Sequence, residues 1–311
     1  MTGWCEVERM YFIGVTTAAS SIMRLFPRWA ELLGLQAEIV GLDVPLGAPR
    51  EAYRQAVLRM ADDPKARGGL VTTHKVSVFL HAGDLLAQFD YWAELCGEVS
   101  CIARRADGLH GWAKDPITAW RAFVDWAGAD YFSRNPEAEV LCLGAGGSGA
   151  AFTSRLLTVD QPPARIHLTN RSSERLGKVA RIHRRIGLSC PVEYHQVHSP
   201  ADSDRLLEQL PPRSVVVNAT GMGKDRPGSP ISDQARFPER ALVWDFNYRG
   251  SLEFLQQARR QAEELGLQVE DGWRYFLHGW SEHIAEVFDV DIDRAQFDEL
   301  AAAAEGLRQS G

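Results

Sequence analysis

The residues of this chain best placed to do chemistry form the loop Gly144-Ala145-Gly146-Gly147-Ser148-Gly149. It follows the apolar run Val140-Leu141-Cys142-Leu143 and precedes an Ala-containing stretch, the context of a strand, a tight turn and a helix. Glycines at 144, 146 and 149 have the spacing of a dinucleotide cradle. The first permits the turn, the second lets backbone approach a pyrophosphate, and the third allows close helix–strand packing. The helix N-terminus then faces the anion. Such spacing is common in ordinary turns, and it is the strand before it that gives the loop its meaning. At the end of the next strand stands Asn170-Arg171-Ser172-Ser173. An enzyme selective for NAD commonly carries Asp or Glu there, against the ribose 2′-hydroxyl. An arginine with small hydroxyl neighbours suits a 2′-phosphate instead, through charge-assisted bonds, so NADP is the expected cofactor. A further turn, Asn218-Ala219-Thr220-Gly221-Met222-Gly223, closes another strand of the same half and could line the nicotinamide side.

These groups need an α/β scaffold, and the apolar patterning supplies one. Strands are expected at Met10–Val15, Glu38–Leu42, Gly69–Thr73 and Glu98–Arg104, the last turning at Ala106-Asp107-Gly108 into Leu109–Trp112. Helical patterns run through Phe26, Trp29, Leu32 and Leu33, over Glu51–Met60, and near Leu80–Phe89. A second series starts near residue 138. Strands at Glu139–Leu143, Arg165–Thr169, Ser214–Asn218 and Leu242–Phe246 join helices at Ala150–Leu157 and Ser173–Ile186. The mostly polar Asp130–Pro136 reads as a linker, Gly272–Phe288 as a helix, and a shorter helix follows Asp293. Alternation of this kind implies βαβ units and mostly parallel sheets.

At 311 residues, with 45% hydrophobic and 24% charged side chains, the chain suits two globular domains. A net charge of −7 argues against a nucleic-acid partner, and the basic run Arg181-Ile182-His183-Arg184-Arg185 reads as the solvated face of a helix. Cys5, Cys96, Cys101, Cys142 and Cys190 are odd in number and scattered, so neither a disulfide framework nor a zinc cluster is expected, and no metal is called for. Cys142 reads as a small buried hydrophobe. Met1–Met10 has no apolar core of a signal peptide, and no apolar run is long enough to span a bilayer. A cytoplasmic protein acting on a small molecule, monomer or homodimer, is the expectation.

Taken in order, several segments resemble the shikimate dehydrogenase family. The cofactor half contributes GAGGSGAA (144–151), NRSS (170–173), NATGMG (218–223), DFNY (245–248) and EDG (270–272). The N-terminal half contributes GGLVTTHK (68–75), GEVSCI (97–102) and GWAKD (111–115). The resemblance implies a two-domain α/β protein. An open α/β substrate domain would occupy residues 1–120 and a Rossmann-type NADP-binding domain 121–271, with C-terminal helices at 272–311 returning to the first domain. The active site is expected in the cleft between the domains. It also implies that Lys75 and Asp115 act together at the oxygen of the reacting carbon. Independent chemistry agrees. Hydride transfer from a secondary alcohol leaves an oxygen that must lose a proton, and a lysine whose pKa is lowered by burial can exchange one near neutrality. A carboxylate beside it would orient the ammonium. Taken singly, a Lys after a strand and an Asp before a Pro are ordinary surface groups, and it is the match to family positions that gives them weight.

The substrate ligands depart from the family. Its early serine pair aligns with Ser20-Ser21-Ile22, so Ser20 is retained. The Asn and Thr of its N-V-T motif fall on Gly69 and Val71, with Thr72 one step on. The following Asn-Thr pair becomes Ser100-Cys101, and the Asn-Thr before Asp115 becomes Ala113-Lys114. A Gln in the last helix becomes Gly279, near His278 and Trp280, while Tyr248 matches a tyrosine near the substrate. Each substrate hydroxyl left unpaired in a closed site costs about 1–3 kcal/mol, so shikimate itself should bind weakly. The expectation is an NADP-dependent oxidoreductase of this type acting on a shikimate-like cyclic acid or related small alcohol, with Ser20, Thr72, Ser100 and Tyr248 at the substrate. His74, His278 or Lys114 could supply replacement contacts, although a structural role suits each histidine better and a solvated one suits Lys114. The alternatives are a true shikimate or quinate dehydrogenase, and a catalytically inactive NADP-binding or sensing protein.

Overall fold

The apolar run Met10–Ile13 is almost wholly buried, as a strand covered on both faces must be. It lies in β1 (Glu8–Gly14), near the middle of the first of two sheets in this computed structural model, which describes residues 7–224 and 226–308. Cys5 and most of the Met1–Met10 segment lie outside the described residues. The chain divides into two units, Met1–Lys114 with Gly279–Gly311, and Asp115–His278.

In the first unit β1 is followed by α1 (Ser21–Leu32), β2 (Ala37–Asp43), α2 (Arg50–Asp62), β3 (Ala66–Val71) and α3 (Lys75–Ala82). Then come β4 (Gln88–Phe89), α4 (Tyr91–Cys96), β5 (Cys101–Arg105) and β6 (Gly108–Trp112). The sheet order is β2-β1-β3-β5-β6-β4. Strands β1, β2 and β3 are parallel as expected, whereas β5 runs antiparallel to both β3 and β6. For β5 and β6 the cause is local: Ala106-Asp107 leads into Gly108 at φ +138°, a connection too short for a parallel crossover. The helix expected near Leu80–Phe89 is displaced. It starts at Lys75 and stops at Ala82, and Gly83–Leu85 turns the chain into β4.

The second unit opens with α5 (Asp115–Ala127), α6 (Tyr131–Arg134), β7 (Val140–Leu143), α7 (Gly147–Leu156), β8 (Ile166–Asn170) and α8 (Ser173–Ile186). It continues through β9 (Val192–Gln196), α9 (Pro200–Leu207), β10 (Val215–Asn218), β11 (Leu242–Asp245), α10 (Glu253–Leu265) and β12 (Gln268–Glu270). All six strands are parallel, in the order β12-β11-β10-β7-β8-β9. Every residue of β7, β10 and β11 is buried, as a sheet wrapped on both faces requires. Phe123, Phe152 and Trp244 pack on one face, with the Phe152 and Trp244 rings edge-on at 5.6 Å. Leu141, Leu143 and Val216 meet Phe254 and Leu255 on the other. The segment expected as a linker instead carries α6, whose Tyr131 and Phe132 are buried in this core, because its two aromatics outweigh its polar neighbours. In the basic run of α8 the arginines are exposed but His183 is fully buried.

The chain ends with α11 (Trp273–Phe288) and α12 (Arg294–Arg308). The return of the C-terminal helices to the first unit is realised: Trp29 Nε1 donates to Leu300 O at 2.9 Å, and Phe26 packs against Phe288. No helix among the described residues is long and apolar enough to cross a membrane.

Candidate functional site

The glycine loop joins β7 to α7. Gly144 takes φ +114°, and a Cβ there would stand 2.7 Å from Ala219 O. A Cβ at Gly149 would stand 2.0 Å from Gly144 O. Both positions therefore exclude any side chain. Gly146, the N-cap of α7, meets nothing closer than 4.0 Å and leaves its backbone open to a cleft. Ala145 is buried beneath the turn, and Gly147, Ser148 and Gly149 form the first turn of the helix, the arrangement that receives a phosphate.

That cleft, about 230 Å³, lies wholly within the second unit. Of the residues singled out from the sequence, Gly144, Gly146, Asn170, Arg171, Ala219, Thr220 and Met222 line it. Asn170 Oδ1 accepts from Ser172 N at 2.9 Å, and Ser172 Oγ caps α8 by accepting from Arg175 N. The turn thus sets Arg171 and Arg175 at the same wall, both exposed. Arg175, Arg226, His198, Ser199 and Ser203 were not singled out from sequence. Arg175 was legible as the residue four beyond Arg171 on a helix start, and Ser199 as the opening of a capping box with Asp202. A glycine cradle walled by arginines fits the phosphates of a dinucleotide.

Asn218 has a different part from the one expected. It is fully buried, accepts from Thr220 N and Oγ1, and donates to Asp245 Oδ2 at 2.9 Å and to Met222 O. It shapes the turn that presents Thr220 and Met222 rather than facing the cleft. Burial raises the Asp245 carboxyl to about 6. Tyr248 packs on Trp273 and Phe276 in the same unit.

In the first unit Thr72 follows β3 directly, its carbonyl accepts from Lys75 N, and Val71 N at the strand's end donates to Ser100 O. Thr72 N donates to Ile13 O, and Thr72 Oγ1 lies 3.2 Å from where a Gly14 Cβ would be. Ser20, half-buried, occupies the N-cap position of α1 without a side-chain cap bond, and its N–H donates to Thr17 O. Positions 69 and 71 hold no substrate ligand: a Cβ at Gly69 would meet Met60 and Tyr11 O at 2.7 Å, and Val71 is fully buried. Lys75 begins α3, half-buried, and its carbonyl accepts from Val99 N. Ser100, also fully buried, spends its hydroxyl on the fold, for its Oγ accepts from Lys114 N at 2.8 Å. Asp90 accepts from Ala113 N at 3.0 Å. Together they fix Ala113-Lys114, the residues before Asp115. Lys114, expected to be solvated, is buried and paired with Glu286 at 2.5 Å, which also takes Arg105. His74 is a core group bonded to Val44 O at 2.7 Å, and His278 in the second unit bonds Asp125 at 3.2 Å. Space stands open around Gly279, where a Cβ would meet nothing within 4 Å.

The fold and the cradle define a two-unit α/β chain whose second unit is of the Rossmann type. Two curated relatives narrow this further. The chain is 29% identical over 176 residues to the shikimate dehydrogenase (NADP(+)) of Streptococcus thermophilus, covering 55% of this chain and 57% of that one. It is 32% identical over 190 residues to the enzyme of the same name from Afipia carboxidovorans, covering 61% of each. The matched segments thus span under two thirds of those relatives. Solved structures match nearly end to end. Quinate dehydrogenase from Corynebacterium glutamicum in complex with NAD gives a TM-score of 0.73 at 18% identity, over 96% of this chain and 98% of that one. Shikimate 5-dehydrogenase from Thermus thermophilus with NADP(H) and shikimate gives 0.68 at 21%, over 96% and 100%. No protein-family model matches the chain. The chain is thus distantly similar in sequence to shikimate dehydrogenases and shares the fold of these solved structures.

Proposed function

We propose that this chain is an NADP-dependent oxidoreductase moving a hydride between NADP(H) and a secondary alcohol or ketone of a shikimate-like cyclic acid or related small molecule. The observation that carries the reading is the cradle of Gly144, Gly146 and Gly149 opening on a cleft walled by Arg171 and Arg175. The arginines favour a 2′-phosphate over a bare ribose. When bound, the nicotinamide supplies or accepts the hydride. Lys75 takes the hydroxyl proton in oxidation and returns it in reduction, and Asp115 orients the ammonium. Ser100, Gly69 and Val71 are committed to the core where the family carries substrate ligands, so the substrate carries fewer or differently placed hydroxyls than shikimate.

The test is a panel of hydroxylated cyclic acids and their ketones, followed by NADPH absorbance. Turnover with a member other than shikimate or quinate supports the reading, and NADPH binding with no turnover on any member indicates a sensing protein. Lys75→Ala should reduce turnover by about 10²-fold or more with cofactor affinity unchanged. Undiminished turnover removes Lys75 from the reaction.

A further inference from the structure

We infer that the second unit carries a site for a borderline divalent cation of the zinc kind, formed by His167, Glu193 and His195 at the edge of its sheet. Nothing in the sequence pointed to it, because no two of these ligands show a metal-binding spacing with a cysteine and His167 is far from the others along the chain. The sheet register assembles them. His167 on β8 pairs with Glu193 on β9, and His195 lies two residues further along β9, so all three project from one face. His167 Nδ1 stands 3.1 Å from His195 Nε2, and Glu193 Oε2 stands 3.5 Å from each of those nitrogens. The two longer separations exceed a charge-assisted hydrogen bond, so neither imidazole is hydrogen-bonded to Glu193 Oε2. A point equidistant from the corners of a triangle with sides of 3.1, 3.5 and 3.5 Å is about 1.95 Å from each. Zinc takes imidazole nitrogen and carboxylate oxygen at about 2.0–2.2 Å, so an ion just off that plane reaches all three.

The groups behind the ligands are those such a site needs. His167 Nε2 lies 2.8 Å from Glu139 Oε2, and its Nδ1 is turned toward the other two ligands; in the tautomer that donates to Glu139, Nδ1 is the nitrogen offered to the ion. A carboxylate behind a ligating imidazole fixes its tautomer and raises its basicity. Arg165 pairs with Oε1 of Glu193, the oxygen not used as a ligand, and lies 3.6 Å from Glu139. With both imidazoles neutral, two carboxylates face one guanidinium, and a dication offsets the excess. Binding exchanges the His195 N–H···N contact for two metal–nitrogen bonds. The proton on His195 Nε2 moves to Nδ1 of the same ring through solvent, so no net proton is lost. The ligands are half-exposed, leaving a fourth position to water.

The test is a titration of the full chain, free of any affinity tag, with Co²⁺ read by visible absorption. One equivalent should bind with the intense bands of a tetrahedral N/O site, and Zn²⁺ should displace it. His167→Gln or His195→Gln should each weaken binding by about 100-fold or more, and Glu139→Gln by about tenfold. Circular dichroism and NADPH binding check that each variant is folded. Absence of stoichiometric binding to the unmodified chain overturns the proposal, as does binding undiminished in both folded histidine variants.

Discussion

Lys114 and Glu286 form a buried ion pair at 2.5 Å, with side chains 8% and 18% exposed. Arg105 completes the carboxylate's coordination from the other side. Removing the acid takes the ion-pair partner from the buried Lys114, and breaking such a pair from one side costs about 3–5 kcal/mol. Glu286→Gln should lower unfolding free energy by that order in urea. A loss under about 1 kcal/mol would mean water reaches the pair.

Ser100 Oγ holds the Lys114 backbone instead of reaching for substrate. Ser100→Ala should therefore cost about 1–3 kcal/mol of stability, the penalty of an unmet buried N–H. KM for any substrate found should move little. A large rise in KM with stability intact would restore Ser100 as a ligand.

Gly144→Ala places a methyl 2.7 Å from Ala219 O at φ +114°. The strain is about 1–3 kcal/mol, and it displaces the turn that receives phosphate. NADPH affinity should fall tenfold or more by fluorescence titration, and an unchanged affinity would separate the loop from the cofactor.

Arg171 and Arg175 give the cofactor preference a direct check. A charge-assisted bond contributes about 1.5–3 kcal/mol, so the double change Arg171→Gln, Arg175→Gln should weaken NADPH by 10-fold or more. NADH should be nearly unaffected. Equal losses for both would show that the arginines bind the shared pyrophosphate.

His183 makes acid sensitivity predictable. Its Nδ1 accepts from Tyr194 OH at 2.8 Å and Nε2 meets Thr153 Oγ1 at 3.1 Å, with burial lowering its pKa to about 4. The folded state then binds fewer protons than the unfolded one, so this stability is complete above about 6.5 and lost as pH falls toward 4, by about 3 kcal/mol. His278, lowered to about 4 mainly by burial, acts with the same sign. Asp245, raised to about 6, opposes them: its contribution is complete below its unfolded value and lost as pH rises through 6. His183→Gln should flatten the loss of thermal stability between neutral pH and pH 4.5. An unchanged slope would show that the imidazole is already charged.

Element boundaries are legible where hydrophobic period and turn chemistry agree. The boundaries of α8, Ser173–Ile186, were anticipated to the residue, because Ser172 starts the helix and Gly187 ends it. By contrast β9, with the sequence VEYHQ, is an edge strand with little apolar signal, whereas α10 carries a buried stripe of Phe254, Leu255, Ala258 and Leu265 that the expected elements omit. The glycine cradle was legible because its function demands a local pattern. The fates of Ser100, Asn218 and Lys114 were not, because each is settled by a partner distant in sequence or by burial that no local window records. The same holds for His167 and His195, which meet only through strand register.

The division of the chain has a consequence for its synthesis. The second unit is one uninterrupted stretch, whereas the first is made of an early segment and a late one. On the ribosome, the stretch from Asp115 to His278 has all of its own residues before the opening segment has its closing helices. Trp29 waits for Leu300. Domains of most proteins mature in the order they emerge; here the part translated first is the last able to finish, and its apolar α1 face must be kept from aggregation in the interval.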